Sequence, residues 1–157
     1  MKKHILLIGF LFFSLAGISQ TTVYGVFQGG DMAFGARIEQ QFSNIGIYGS
    51  ATKGNYRFYG DQYVKDHVAL SVGGVGYFNI NNAPKEKAII SLGITHHKYG
   101  EKNFFDGYVK DKAFNPWSFC FGGGLRMGHL NTIIVLDALK FDVLVGVGIT
   151  FGFNEGL

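Results

Sequence analysis

Along Val143–Phe153 the chain alternates almost without error between two kinds of residue. Val143, Val145, Val147, Ile149, Phe151 and Phe153 fall on one side of an extended strand, and Leu144, Gly146, Gly148, Thr150 and Gly152 on the other. Successive strand side chains point to opposite faces, so one face is continuously apolar and the other is mostly glycine. Trp117, Phe119, Phe121, Leu125 and Met127 repeat the contrast against Ser118, Cys120, Gly122, Gly124, Arg126 and Gly128. A soluble sheet hides its apolar face and covers the other with Lys, Glu and Thr. A second face of small residues with an occasional charge suits a narrow closed barrel, its apolar side toward lipid and its crowded side inward.

The pattern predicts eight strands. They run over Thr21–Gln28, Met32–Phe42, Ile45–Phe58, His67–Phe78, Ala88–Tyr99, Trp117–Gly128, Thr132–Leu139 and Val143–Phe153. In the second, Met32, Phe34, Ala36, Ile38 and Phe42 oppose Gly35, Arg37, Glu39 and Gln41. The connections are Gly29–Asp31, Ser43-Asn44, a polar stretch through Gly60–Gln62, Asn79–Lys87 with Pro84, a long segment Gly100–Pro116, His129–Asn131 and Lys140–Asp142. Asp137 interrupts the seventh run, which reads equally as a buried strand or a helix fragment. Tyr63-Val64-Lys65-Asp66 recurs as Tyr108-Val109-Lys110-Asp111, an echo that would relate two successive hairpins.

The N-terminus supplies an address. Lys2 and Lys3 precede an apolar run over Ile5–Leu15, followed by small residues at Ala16, Gly17 and Ser19. That is the layout of a secretory signal peptide cut after Ser19, and implies export through the Sec pathway. The run falls short of the about 20 residues a spanning helix needs. Residues 1–19 are therefore expected to be the signal and 20–157 a single barrel domain. No other segment approaches a transmembrane helix, so a mature membrane protein would have to close its backbone hydrogen bonds in a barrel.

Composition narrows the partners. Charged residues make up 16% of the chain, against roughly 25% in soluble domains, and glycine is abundant at 24 residues. Without Lys2 and Lys3 the formal charge drops from +3 to +1. No basic patch argues for nucleic acid. The lone Cys120 excludes an intramolecular disulfide and reads as a small inward packing residue.

If the N-terminus starts in the periplasm, the second, fourth and sixth connections are periplasmic and the others face outward. Aromatics gather where interfacial girdles belong: Tyr56, Phe58, Tyr59, Tyr99, Phe104, Phe105 and Tyr108 outward, and Phe42, Tyr77, Phe78, Phe151 and Phe153 on the periplasmic side.

A signal peptide, eight short alternating strands and an aromatic terminal strand resemble the small outer-membrane barrels of the OmpA/OmpX kind, often described only as outer-membrane β-barrel or porin-like proteins. The resemblance is architectural and covers the mature chain. It implies an all-β, eight-stranded, antiparallel up-and-down transmembrane barrel of the cell envelope. Outer-membrane lipids and lipopolysaccharide would surround it, and the barrel-assembly machinery would insert it. One departure is the tail Asn154-Glu155-Gly156-Leu157 beyond Phe153, where such proteins usually end on the aromatic residue.

Candidate chemistry falls in three places. Arg37, Glu39 and Arg126 lie on inward faces, where charges persist only paired or wet, and predict a polar network plugging the lumen. A gated ion path is the functional alternative, but eight strands leave room only for side chains. Asp66, His67, His96 and His97 gather at one rim as a metal-binding or merely polar cluster. Outer-membrane lipid A deacylases carry a catalytic His followed two residues later by Ser; here Lys98, Tyr99 and Gly100 follow the histidines, so the nucleophile is missing. His96 and His97, being adjacent, also cannot both turn inward. Gly73-Gly74 and Gly122-Gly123-Gly124 lack the Lys-Ser/Thr of a phosphate loop. No cofactor or metal is expected. Residues 101–116, with alternating Lys and Asp plus Phe and Tyr, are the candidate contact for an external ligand.

Three functions follow: a non-enzymatic outer-membrane barrel with a structural or surface-interaction role, an outer-membrane lipid-modifying enzyme using the rim histidines, and a secreted soluble barrel holding a small apolar ligand against an inward Val/Ile/Phe face. The facing of the residues favours the first.

Overall fold

The computed structural model describes residues 20–29, 32–59, 62–80, 83–98 and 116–152, apart from the side chains of 55–59, 62–66 and 83–84. Residues 1–19, the second copy of the Tyr-Val-Lys-Asp echo, most of the 101–116 segment and the outward aromatics from Tyr56 to Tyr108 lie outside the described side chains.

Eight strands form one antiparallel sheet: β1 Gln20–Gln28, β2 Ala33–Phe42, β3 Ile45–Tyr59, β4 Gln62–Ile80, β5 Ala83–Lys98, β6 Trp117–Met127, β7 Leu130–Asp137 and β8 Asp142–Phe151. Each pairs with the next, and β1 pairs back onto β8, with Thr21 opposite Phe151 and Gln28 opposite Leu144, so the sheet closes. Closure removes the exposed edges that an open sheet of this composition would present. Among the described residues no helix is long and apolar enough to cross a membrane, which bears only on helical spans.

The two faces separate as the period-two pattern dictates. In β8, Val143, Val145, Val147, Ile149 and Phe151 are exposed, while Asp142, Gly146, Gly148 and Thr150 are buried. In β6, Trp117, Phe119 and Phe121 face out and Ser118, Cys120 and Arg126 face in. Phe119, Leu92 and Phe34 keep 64–69% of their surface, as no soluble core would allow. Apolar residues cover the outside, which excludes a barrel whose Val/Ile/Phe face lines an internal cavity.

Inward glycines make room for rings. A Cβ on Gly148 would stand 2.6 Å from Tyr24 Cδ1, and one on Gly73 2.6 Å from Tyr48 Cε1. Both are closer than packed carbons tolerate. At Gly148, Gly73 and Gly93 the missing side chain makes room for a tyrosine, and at Gly35, Gly122 and Gly124 for the backbone of the neighbouring strand.

Several boundaries depart from the sequence expectation. Strand β4 begins at Gln62, five residues before His67, and β3 reaches Tyr59, so the β3–β4 connection shrinks to residues 60–61. Asn79–Lys87 is not a loop: Asn79 pairs with Lys87 and Ile80 with Ala83, with a register shift between them. The shift takes up residues 84–86, and an irregular ladder tolerates Pro84, which has no N–H to donate. Met32 leaves β2 for the preceding turn, at φ 47°.

The β6–β7 turn is Gly128-His129, not His129–Asn131. Gly128 has φ +63°, which suits the first position of a tight hairpin, and Asn131 is a buried strand residue. Strand β7 is shifted toward the N-terminus of its predicted span and ends at Asp137, whose Oδ1 accepts hydrogen bonds from the N–H groups of Leu139 and Lys140. A carboxylate that satisfies the next two free donors ends a strand rather than starting a helix fragment. Asp142 belongs to β8, not to the turn. Tyr77, expected in a girdle, points into the lumen and is 2% exposed, while Phe78 and Phe151 face outward.

Candidate functional site: a layered polar lumen

Strand direction gives the barrel two ends. One holds Gln20 and Gly152 (the terminal end); the other holds the 60–61 and 99–116 connections (the loop end). Between them the inward side chains stack in layers.

The middle layer is built on β2. Arg37 and Glu39 are two residues apart and so share the inward face. Arg37 Nε donates to Glu39 Oε1 at 2.8 Å, and Nη2 lies 2.7 Å from the same oxygen. Glu39 Oε2 accepts from Tyr24 Oη at 3.1 Å and from Tyr77 Oη at 2.8 Å. The guanidinium carbon sits 3.6 Å above the Tyr48 ring centroid, and Tyr48 Oη is 3.1 Å from Cys120 Sγ. Glu39 is fully buried and Arg37 nearly so. A charge in such a place is retained only with a counter-charge and hydrogen bonds; Tyr24 and Tyr77 supply those of Glu39, while Arg37 Nη2 faces Glu39 without a well-formed hydrogen bond of its own.

The terminal layer is built on Arg126 of β6. Its Nε donates to Asn131 Oδ1 at 2.8 Å. Nη1 donates to Gln20 Oε1 at 2.7 Å and Gln41 Oε1 at 2.6 Å, and Nη2 to Thr22 Oγ1 at 3.1 Å. Asn131 in turn donates to Thr150 Oγ1, which lies 2.7 Å from Thr22 Oγ1. Gln41 also donates to the Ser43 carbonyl at the turn below. Every one of these acceptors is neutral. The structure thus places Arg126 inside with Arg37 and Glu39 but in a separate layer, joined to theirs through Tyr77, whose ring centroid is 5.1 Å from the Arg126 guanidinium carbon.

Above Arg37, toward the loop end, lies a cavity of about 30 Å³ whose lining includes Ser50, Thr52, Thr95, Asp137 and Asp142. That is room for ordered water and not for a solute column. Asp142 Oδ2 accepts from Gln28 Nε2 at 2.5 Å, and Gln28 Oε1 accepts from Thr52 Oγ1 at 2.8 Å.

The loop-end layer holds the histidines. His67 of β4 and His97 of β5 are both buried, their rings nearly parallel at 9° and His67 Nε2 2.9 Å from His97 Nδ1. His97 Nε2 lies 2.8 Å from Asp137 Oδ2 and 3.0 Å from Ser118 Oγ, while Ser118 Oγ donates to the same Asp137 oxygen at 2.6 Å. Four adjacent strands, β4 to β7, are thereby tied together. His96 points the other way, edge-on to Trp117 with centroids 4.6 Å apart on the outer wall. The side chain of Asp66 lies outside the described residues. The expected rim cluster therefore divides into two histidines inside and one outside. Among the described residues no three His, Cys, Asp or Glu side chains are arranged to hold a metal ion.

A serine does stand beside His97, supplied by the neighbouring strand rather than by the sequence downstream. The arrangement is poor for making a nucleophile. In a working triad the carboxylate and the hydroxyl occupy opposite ring nitrogens, so the base can take the hydroxyl proton. Here both meet Nε2, and the hydroxyl gives its hydrogen to the carboxylate.

Sequence reasoning missed Tyr24, Tyr48, Tyr77, Ser118, Asn131 and Asp137 as members of these layers. Parity places Tyr24 with Thr22, Ser118 with Cys120, and Asn131 and Asp137 with Ile133 on inward faces, whereas Tyr77 near a strand end reads as an interfacial anchor. Their hydrogen-bond partners lie on neighbouring strands or across the lumen, and which partner each meets carries no signal along the chain.

No family model matches the chain, and no curated protein matches it. Solved structures do. The N-terminal β-barrel domain of Pseudomonas aeruginosa OprF superposes with a TM-score of 0.57 at 14% identity, covering 86% of this chain and 96% of that one. The Yersinia pestis outer membrane protein Ail gives 0.49 at 18% identity over 85% and 99%. The outer membrane enzyme PagL gives 0.41 at 14% over 85% and 99%. At these identities the OprF likeness speaks for architecture alone, and the chain has the eight-stranded antiparallel closed barrel of that domain.

Proposed function

We propose that the protein is a non-enzymatic β-barrel of the outer membrane, with a structural or surface-interaction role and a lumen plugged by its own side chains. The observation that carries this reading is the inversion of polarity. Apolar side chains cover the outside, while arginine, glutamate, histidine and aspartate are buried within. Such a wall is stable in hydrocarbon, and a barrel is one of the two structures that satisfy their own backbone there. The layers of Arg126 and Arg37–Glu39 and the small cavity above them speak against an open pore.

In this reading the loop end faces outward, and membrane lipids with lipopolysaccharide surround the wall. The barrel-assembly machinery inserts the chain, and residues 101–116 meet any external ligand. The enzymatic alternative rests on Ser118, His97 and Asp137. Their burial and the shared ring nitrogen weigh against it.

The test is to express the chain, isolate the envelope, and compare unheated with boiled samples by detergent gel electrophoresis. A membrane-bound band whose mobility changes only on boiling is expected. A protein that stays soluble without detergent would overturn the membrane reading. Hydrolysis of outer-membrane lipids that is lost in Ser118→Ala would overturn the non-enzymatic one.

A further inference from the structure

The outer wall is apolar over most of its height, and its described charges are few and placed at the ends. At the loop end, Lys53 of β3 and Lys98 of β5 are exposed and stand in one row, each paired in register with Val68 between them. Their backbones are two strand spacings apart, about 10 Å, so both flexible side chains can reach one group lying over Val68. Among the described residues neither lysine has an acidic partner. One row below, Leu70, His96 and Trp117 continue the wall, with Trp117 52% exposed. Near the terminal end of β5 the exposed charges are mixed, Lys85 beside Glu86.

Beside this row the wall is hollow. Phe34 pairs in register with Lys53 and, on its other side, with Phe27, the two rings tilted 51° with centroids 5.0 Å apart. Phe27 and Phe34 border an outer groove of about 550 Å³ that continues past Gly25, Val145 and Val147 toward the terminal end. Gly25 faces outward in it, and a Cβ added there would meet nothing within 4 Å. The groove is shallow and open to the outside, and its lining is apolar, as suits a chain lying along the wall rather than a ligand enclosed by it.

We propose that Lys53, Lys98 and this groove form a seat for one phosphorylated membrane lipid, its phosphate held between the two lysines and an acyl chain lying against Phe27, Phe34 and Gly25. Charge complementarity selects the anionic headgroup, and the groove opens at Phe34 beside Lys53 and runs toward the terminal end into the apolar band. On β5, twelve residues separate Glu86 from Lys98, about 40 Å of strand, which at a tilt of about 40° spans roughly 30 Å. The lysine row therefore sits near the edge of the hydrocarbon, where headgroup phosphates are. The inference rests on the chain being a transmembrane barrel.

The experiment refolds the protein into phosphatidylcholine vesicles carrying a minor fraction of phosphatidic acid, extracts it in mild detergent, and weighs the intact complexes by native mass spectrometry. One retained phosphatidic acid per barrel is expected, in preference to phosphatidylcholine. Each lysine should account for roughly a fivefold preference, so Lys53→Gln with Lys98→Gln should remove most of it. Gly25→Leu should reduce retention of the lipid while leaving the lysines intact.

Equal retention of the two lipids, an unchanged preference in the double lysine variant, or undiminished retention in Gly25→Leu would each overturn the proposal. Heat-dependent gel mobility of every variant separates the two levels. A barrel that inserts without discriminating lipids defeats the lipid seat alone, and a chain that does not insert defeats the membrane reading with it.

Discussion

Two buried arginines occupy neighbouring layers of the same lumen and are held in opposite ways. Arg37 has a carboxylate within 2.7 Å and an aromatic face 3.6 Å away. Arg126 has no carboxylate in its shell among the described residues and is surrounded by amide and hydroxyl oxygens from β1, β2 and β7. Its cross-strand neighbour Lys87, half-buried, adds a second positive charge rather than cancelling the first. Full compensation is found mid-barrel, and solvation by dipoles near the mouth. Exposure does not set them apart, since both are buried, Arg37 at 1% and Arg126 at 3%. The difference lies in the neighbours that the strands supply: a buried charge is stabilised either by a counter-ion or by enough hydrogen-bonding dipoles directed at it.

The comparison can be broken most severely at Glu39. Glu39→Leu leaves Arg37 buried without its counter-charge and strips the acceptor from Tyr24 and Tyr77. A loss of about 3–5 kcal/mol is expected. Urea unfolding of the vesicle-inserted barrel, followed by loss of the heat-modifiable band, measures it, and a loss below about 1 kcal/mol would show that the middle layer is wetter than described.

A smaller effect is expected at Arg126→Met. The departing cation leaves Gln20, Gln41, Asn131 and Thr22 with oxygens that can turn to water or to each other, so about 1–3 kcal/mol should be lost in the same assay. A loss as large as that of Glu39→Leu would erase the distinction between the layers.

The smallest effect is expected from removing both partners of the middle layer. Arg37→Met with Glu39→Leu replaces a buried ion pair by apolar groups of similar volume, an exchange that is often neutral. Stability within about 1 kcal/mol of the unaltered protein, despite the large effect of Glu39→Leu alone, would place the coupling in the pair itself. Additive losses would place it in the surrounding tyrosines.

The outer wall was largely legible in the sequence because its signal is local. Val143 to Phe151 and Trp117 to Met127 each announce their facing through period-two alternation, which depends on neighbours two residues away. Strand ends were less legible. Asn79–Lys87 holds Pro84 and polar residues and so resembles a loop, yet a register shift absorbs them within the ladder. Asp137 resembled a break in a core strand and is instead a strand terminator that also contacts His97 and Ser118.

The candidate site was only half legible. Arg37, Glu39 and Arg126 could be assigned to the lumen by parity, but the division into a charge-compensated and a dipole-solvated layer could not. Nor could the inward Tyr77, whose aromatic ring near a strand end reads as an interfacial anchor. Parity turned His97 inward and His96 outward, but it could not place Ser118 and Asp137 against His97.

The sequence by itself determined the class of protein, since alternation specifies extended strands with one apolar and one small-residue face, and that combination suits a narrow barrel in lipid. Tertiary structure alone decided which buried groups meet. Contacts within the closed barrel join residues more than 100 positions apart, such as Arg126 and Gln20 across the lumen or Thr22 and Thr150 on the paired strands β1 and β8. Barrel closure and strand register set those pairings, and a chain read one residue at a time contains neither.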